Sequence, residues 1–181
     1  VEEGLENSTV NRKLSSIKTF FRYLRQQGFC ETNPAVKVKS LKQKKVLPQF
    51  VPETQLWNDE IFNEVEDDYQ RCMDRLIVEL FYQTGIRLSE LINLKEKDVT
   101  KSQIKVLGKR NKERIIPIAT GLDALINGYI NQKQTLGIKG EYLIITKSEN
   151  KLTPKFVYSK VNYYLGKTTN LSKKSPHVLR H

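Results

Sequence analysis

Three separated stretches of this sequence gather side chains suited to chemistry on a phosphodiester. Thr84-Gly85-Ile86-Arg87-Leu88-Ser89-Glu90-Leu91 places an arginine at a helix start just after a glycine break. Gly108-Lys109-Arg110-Asn111-Lys112-Glu113-Arg114 is a polar turn dense in basic groups. Ser175-Pro176-His177-Val178-Leu179-Arg180-His181 holds both histidines of the chain. Transfer of a phosphodiester needs positive charge against the non-bridging oxygens, and the planar fork of arginine supplies it through two hydrogen bonds. The departing alkoxide needs a proton donor, a role that a lysine on a hairpin can fill. His177 and Arg180 stand three residues apart, the spacing of one helix face, so both can meet one phosphate. The Ser-Pro opening would add the positive end of that helix. Each stretch alone has a plainer reading, a surface ion pair for Arg87 and solvated lysines for Lys109 and Lys112. His177 and His181, spaced i and i+4, have no glutamate between them and no third ligand nearby, so no zinc site is expected.

The elements that must carry these groups are legible from periodicity. From Ser8 to Gln27 the apolar residues Val10, Leu14, Ile17, Phe21 and Leu24 form one stripe of an amphipathic helix, with Ser8 or Thr9 available to cap it and Gly28 to end it. Asn33-Pro34 then stops regular structure. Residues 37–52 carry five lysines and two prolines without helical periodicity, which reads as an extended basic linker. Helices are expected over 54–67, from Asp68 to about Gln83 with a break at Thr84-Gly85, and from about Leu88 to Leu94. Ser102–Leu107 and Arg114–Ile118 read as two strands of a hairpin around the basic turn. A helix over 121–135, a short strand over Tyr142–Thr146, a helix from Thr153-Pro154 to about Leu165 and another helix opened by Ser175-Pro176 complete the pattern.

Composition bounds the rest. The 181 residues suffice for one domain, or one domain plus a piece of another, with a sizeable core. At 38% hydrophobic and 28% charged the chain is globular rather than disordered. No apolar run approaches the ~20 residues of a membrane helix, and Val-Glu-Glu-Gly does not open a signal peptide. Two cysteines, Cys30 and Cys72, make neither a disulfide framework nor a zinc site, so a cytoplasmic location is the expectation. The formal charge of +11 is uneven: net +6 over residues 1–50, −7 over 51–100, +5 over 101–150 and +7 over 151–181. Basic regions flanking a groove suit a polyanion. A single long helix in the first 36 residues cannot bury its own stripe, so the chain is expected to begin partway through a helical domain.

The segments T-G-I-R-L-S-E-L, G-K-R-N-K-E-R-I-I-P-I and S-P-H-V-L-R-H resemble three active-site boxes of the tyrosine site-specific recombinases, the phage integrase family, and are most similar to those of bacterial Xer-type enzymes. The likeness keeps the family order and covers nearly the whole chain. It includes S-T-V-N-R-K-L-S-S-I-K-T-F-F-R-Y-L, similar to the last long helix of the family's core-binding domain. The resemblance implies a mainly α fold with a small β-hairpin, an α+β catalytic domain over 53–181 behind a linker at 37–52 and the end of a helical core-binding domain at 1–36. It further implies that Arg87 and Arg180 clamp the scissile phosphate, that Lys109 is the general acid, with Lys112 its rival, and that His177 assists proton transfer. Lys109 is preferred because the family's lysine directly follows the turn glycine, here Gly108; Arg110 stands where the family often has a second glycine. Glu90 and His181 would give structural support, while Ser8, Thr9, Arg12, Lys13 and Ser16 would face the DNA groove. Double-stranded DNA, self-association as a tetramer on it and a bacterial source are implied, with neither metal nor nucleotide cofactor. The family nucleophile is a tyrosine after the His-x-x-Arg box, and all eight tyrosines here precede that box, so the chain is expected to stop before its nucleophile. A type IB topoisomerase or a non-catalytic DNA-binding relative are the alternatives.

Overall fold

The computed structural model describes residues 4–43, 51, 60–108, 112–171 and 174–180, with the backbone alone for Arg180. The chain divides into two compact units, residues 1–47 and 48–181.

In the first unit, α1 spans Asn7–Gln26. Its cap is not the expected Ser8 or Thr9. Glu6, in extended conformation, occupies the N-cap, and its carbonyl accepts the Thr9 and Val10 N–H groups at 2.9 and 3.1 Å. Ser8 lies inside the first turn, where its hydroxyl donates back to Glu6 at 3.4 Å. The C-terminal end follows the expectation. Gly28 takes φ 77°, its N–H reaches the Arg25 carbonyl, and the Phe29 N–H reaches that of Leu24. These paired bonds around a left-handed glycine cap the last orphan carbonyls. The chain then folds back, because Asn33 accepts the Ala35 N–H at 3.0 Å and donates to the Lys18 carbonyl at 3.1 Å. No residue of α1 is buried in the structure, and Ile17, Phe20 and Tyr23 are exposed.

The second unit is built around α3, Asp68–Thr84. Tyr69, Met73, Leu76, Ile77, Leu80 and Phe81 are all within 1% of complete burial, so this helix is apolar around most of its circumference and must be enclosed. Asp67 caps it by accepting the Gln70 N–H, and Gly85 ends it in the left-handed region at φ 57°. Packed on α3 are α2 (Glu60–Asn63), α5 (Thr120–Thr135), α6 (Pro154–Thr168) and the C-terminal turn, while α4 (Leu88–Asn93) packs on α6. Of the helix expected over 54–67, residues 60–63 are helical, and 54–59 lie outside the described residues.

Strands β1 (Gln103–Leu107) and β2 (Glu113–Pro117) form the expected antiparallel hairpin, with Ile104 opposite Ile116 and Val106 opposite Arg114. Alternation sends Ile104, Val106 and Ile116 into the core. The strand expected over Tyr142–Thr146 is absent. Only isolated bridges form, Tyr142 with Lys95 and Ile145 with Lys151. Buried side chains take the place of a neighbouring strand: the Tyr69 and Tyr129 hydroxyls donate to the Ile145 carbonyl at 2.9 and 3.0 Å. Burial pushes the Tyr69 phenol up, and burial together with the Tyr69 hydroxyl pushes Tyr129 up further.

Candidate active site

Arg87 is set before α4 by the glycine break that ends α3. It occupies the N-cap in extended conformation, with Glu90 three residues on. The Glu90 carboxylate turns back to accept the Arg87 backbone N–H at 2.8 Å and also takes the Arg87 guanidinium at 2.6 Å. A single carboxylate therefore fixes both the backbone and the side chain of the arginine. The Glu90 side chain is 2% exposed against 50% for Arg87, so the acid is sealed beneath a guanidinium that faces solvent. A third bond comes from β2, where Arg114 donates to Glu90 at 2.8 Å. Burial raises the Glu90 carboxyl, but the bonds from Arg114, the Arg87 N–H and the Arg87 guanidinium outweigh it and hold the group below its ordinary value.

The hairpin is anchored to this pair. The Gly108 N–H donates to the Lys112 carbonyl at 2.8 Å, closing the base of the turn. A Cβ on Gly108 would lie 3.2 Å from that carbonyl, 3.8 Å from Glu90 Oε1 and 3.9 Å from Arg87 Nη1. Any side chain there would crowd the Lys112 carbonyl, and the turn starts beside the arginine. Lys109 itself lies outside the described residues, as does His181. Lys112 is exposed at the foot of the turn.

The third box arrives differently from the expectation. Ser175-Pro176 opens no α-helix; a bend and turn lead into a single 3₁₀ turn, Val178–Arg180. Pro176, Val178 and Leu179 are buried, whereas His177 is exposed. Three buried residues among the four from Pro176 to Leu179 hold the segment down and leave the histidine outside. A helix would have put His177 and Arg180 on one face. His177 instead precedes the helical residues, and this segment itself supplies only the one 3₁₀ turn.

Arg87 and His177, ninety residues apart in sequence, line one open cleft of about 370 Å³ together with Leu88, Ser89, Ile92 and Pro154. Pro154 stands in the first turn of α6, where Thr153 caps the helix by accepting the Phe156 N–H at 3.2 Å. The cleft thus offers a preset guanidinium, an imidazole and a serine over an apolar floor, an arrangement able to hold an anionic ester. No tyrosine lines it. Tyr164 is buried and donates to Asp74 at 2.8 Å, and Tyr163 sits half-exposed on the same helix, so both serve packing. The candidate groove residues lie in the other unit: Ser8, Arg12, Lys13 and Ser16 are exposed and Thr9 is half-buried.

Arg114 closes the second basic stretch, where the sequence alone assigns it no task. The signal was present in the alternation: Arg114 shares the inward face of the hairpin with Val106 and Ile116, and an arginine there needs a buried acid.

Comparison with known proteins follows the same lines. The family model described as the phage integrase family matches residues 54–181. Tyrosine recombinase XerC of Staphylococcus epidermidis is 36% identical over 181 residues, covering 98% of this chain and 60% of the relative. The XerC of Thermodesulfovibrio yellowstonii is 37% identical over 191 residues, covering 99% and 62%. This chain therefore spans about 60% of the length of these relatives. Among solved structures, the XerH site-specific recombinase in its post-cleavage complex with palindromic difH substrate is similar with a TM-score of 0.79 and 21% identity, covering 99% of this chain and 53% of that one. A lambda integrase tetramer bound to a Holliday junction is similar with a TM-score of 0.70 and 22% identity, covering 99% and 53%. Neither a topoisomerase nor a non-catalytic relative is favoured by these matches. With a family model covering more than half of its residues and the mainly α fold with one hairpin shared by recombinase structures, the chain belongs to the phage integrase family.

Proposed function

We propose that this chain supplies DNA contacts and most of the phosphate-activating groups of a site-specific tyrosine recombinase, which cleaves and rejoins DNA through a 3′-phosphotyrosyl intermediate. The observation that carries this reading is the cleft in which Arg87, fixed by Glu90, meets His177 from the far end of the sequence. Arg87, together with Arg180, holds the non-bridging oxygens of the scissile phosphate and stabilises the charge that grows on them. His177 holds the phosphate and assists proton transfer. Lys109, just beyond Gly108, protonates the 5′ leaving oxygen. The nucleophilic tyrosine comes from polypeptide outside these 181 residues, since none of the eight tyrosines lines the cleft. The covalent intermediate conserves the energy of the phosphodiester, so rejoining needs no high-energy cofactor.

Duplex DNA is the substrate, with Ser8, Thr9, Arg12, Lys13 and Ser16 of α1 facing its groove. The active assembly is a tetramer on DNA, a reading supported by the lambda integrase tetramer on a Holliday junction. Residues 1–36 are the end of the core-binding domain, 37–52 the linker and 53–181 the catalytic domain. A bacterial cytoplasmic setting accords with the XerC relatives; no helix among the described residues is long and apolar enough to cross a membrane. The test is a suicide substrate nicked near the cleavage point and offered to the full-length protein. A denaturation-resistant protein–DNA adduct is expected, and Lys109→Ala should slow its formation while leaving DNA binding intact. An adduct formed equally fast by K109A would remove Lys109 from the mechanism.

A further inference from the structure

The basic segment that follows α1 does not simply leave the helix. It runs back along it, held by hydrogen bonds from α1 side chains. Lys18 donates to the Val38 carbonyl at 2.7 Å, and Asn7 donates to the Lys42 carbonyl at 2.9 Å. Between them Asn11 makes both bonds that one amide can make to a single backbone residue. Its Nδ2 donates to the Leu41 carbonyl at 2.9 Å, and its Oδ1 accepts the Leu41 N–H at 2.8 Å. This two-way clasp imitates a strand pairing in a place where no strand exists.

The clasp has an electrostatic consequence. Asn11, Lys18, Arg22 and Arg25 follow one another at steps of 7, 4 and 3, a single stripe of α1 distinct from its apolar stripe. Lys18, Arg22 and Arg25 line a cleft of about 370 Å³ with Gln26, Asn33 and Val36, at the start of the returning segment. Lys37, Lys39 and Lys42 are exposed along that segment. Residues 32–52, between Glu31 and Glu53, contain no aspartate or glutamate. Among the described residues, none of Arg22, Arg25, Lys37, Lys39 and Lys42 enters an ion pair with an acid. Five like charges on one surface would be unfavourable in the free protein and favourable against a polyanion.

We propose that Asn11 is a positioning residue for DNA binding: by clasping Leu41 it lays the segment 37–42 along α1 and pre-assembles a second phosphate-contacting surface from Arg22, Arg25, Lys37, Lys39 and Lys42. The inference rests on the DNA-binding reading above and adds a surface apart from Ser8, Thr9, Arg12, Lys13 and Ser16. Asn11 touches no DNA. It removes in advance the ordering cost that a loose segment would meet on binding.

The test compares the wild-type chain with Asn11→Ala and with the triple variant K37A/K39A/K42A. Each is titrated with a 30-base-pair duplex over a series of salt concentrations, and amide exchange at Leu41 is followed in the free proteins. Alanine is the better helix former, so α1 persists in N11A, as circular dichroism will verify. N11A should bind about tenfold more weakly with an unchanged salt slope, and its Leu41 amide should exchange faster. The triple variant should lose about one unit of slope per lysine that meets a phosphate. Unchanged Leu41 exchange in N11A, wild-type affinity despite faster exchange, or an unchanged slope in the triple variant each overturns the proposal. Failure of the wild-type chain to bind duplex is a different result, and overturns the DNA-binding reading along with it.

Discussion

Glu90 shows most clearly how one side chain organises the site. Its depressed carboxyl makes stability depend on pH in a definite sense. The unfolded group titrates near about 4.3 and the folded group lower, so the unfolded chain binds more protons in the window between them. The carboxylate's contribution is complete above that window and is lost as pH falls through it. Thermal unfolding between about pH 5 and pH 3 should therefore drop more steeply for the wild type than for Glu90→Gln, measured side by side. Arg87→Lys keeps the charge but loses the fork, so cleavage by the full-length protein should fall about 10²–10³-fold in single-turnover assays, with binding little changed. At this scale the sequence is informative about types and blind to two partnerships, Arg114 with Glu90 and Asn11 with Leu41. Arg87 and His177 stood in recognisable boxes, and the structure brings them to one cleft. Arg114 was passed over because a basic residue in a basic turn looks solvated until its strand face is known. Asn11 was passed over because a polar helix residue says nothing about a backbone returning thirty positions later.

Elements with a strong period were legible: α1, α3, α5, α6 and the hairpin all lie where alternation or a 3.6-residue stripe put them. Two short elements were not. Tyr142–Thr146 has a strand's composition, but the Ile145 carbonyl is taken by the Tyr69 and Tyr129 hydroxyls from distant helices, while the Leu143 and Thr146 N–H groups reach the Leu94 and Asn150 carbonyls outside any strand. Ser175-Pro176 has a helix opening, but burial of Pro176, Val178 and Leu179 draws the following residues into a 3₁₀ turn. The close approach at Gly108 predicts that Gly108→Ala will crowd the Lys112 carbonyl and shift the base of the turn beside Glu90 and Arg87. Cleavage should fall about tenfold or more, since misplacement of catalytic groups by a fraction of an ångström is costly, while the midpoint of thermal unfolding shifts little. Between α3 and α6, Asp74 is completely buried and receives Gln70, Lys160 and Tyr164. Asp74→Ala strands these donors and should lower unfolding stability by about 3 kcal/mol in urea titrations.

For the molecule as a whole, the charge distribution gains a physical meaning. The acidic stretch 51–100, net −7, includes the carboxylate that presets Arg87, and its flanks carry the positive surfaces. Binding of this chain to duplex DNA should weaken linearly in log–log form as salt rises, with a slope set by the phosphates neutralised; anisotropy titrations between about 50 and 200 mM salt check this. The division near residue 47 separates the unit carrying α1 from the unit carrying the cleft. The most direct measurement is covalent trapping by the full-length protein on a nicked suicide duplex, run with wild type and Arg87→Ala at saturating DNA. The expected result is a denaturation-resistant adduct for the wild type and a loss of at least about 10²-fold in its rate for R87A, with duplex binding retained. Adduct formation by R87A at the wild-type rate, or no adduct from wild-type protein that binds and cleaves the DNA, would contradict the assignment of the Arg87–His177 cleft as the site of strand exchange chemistry.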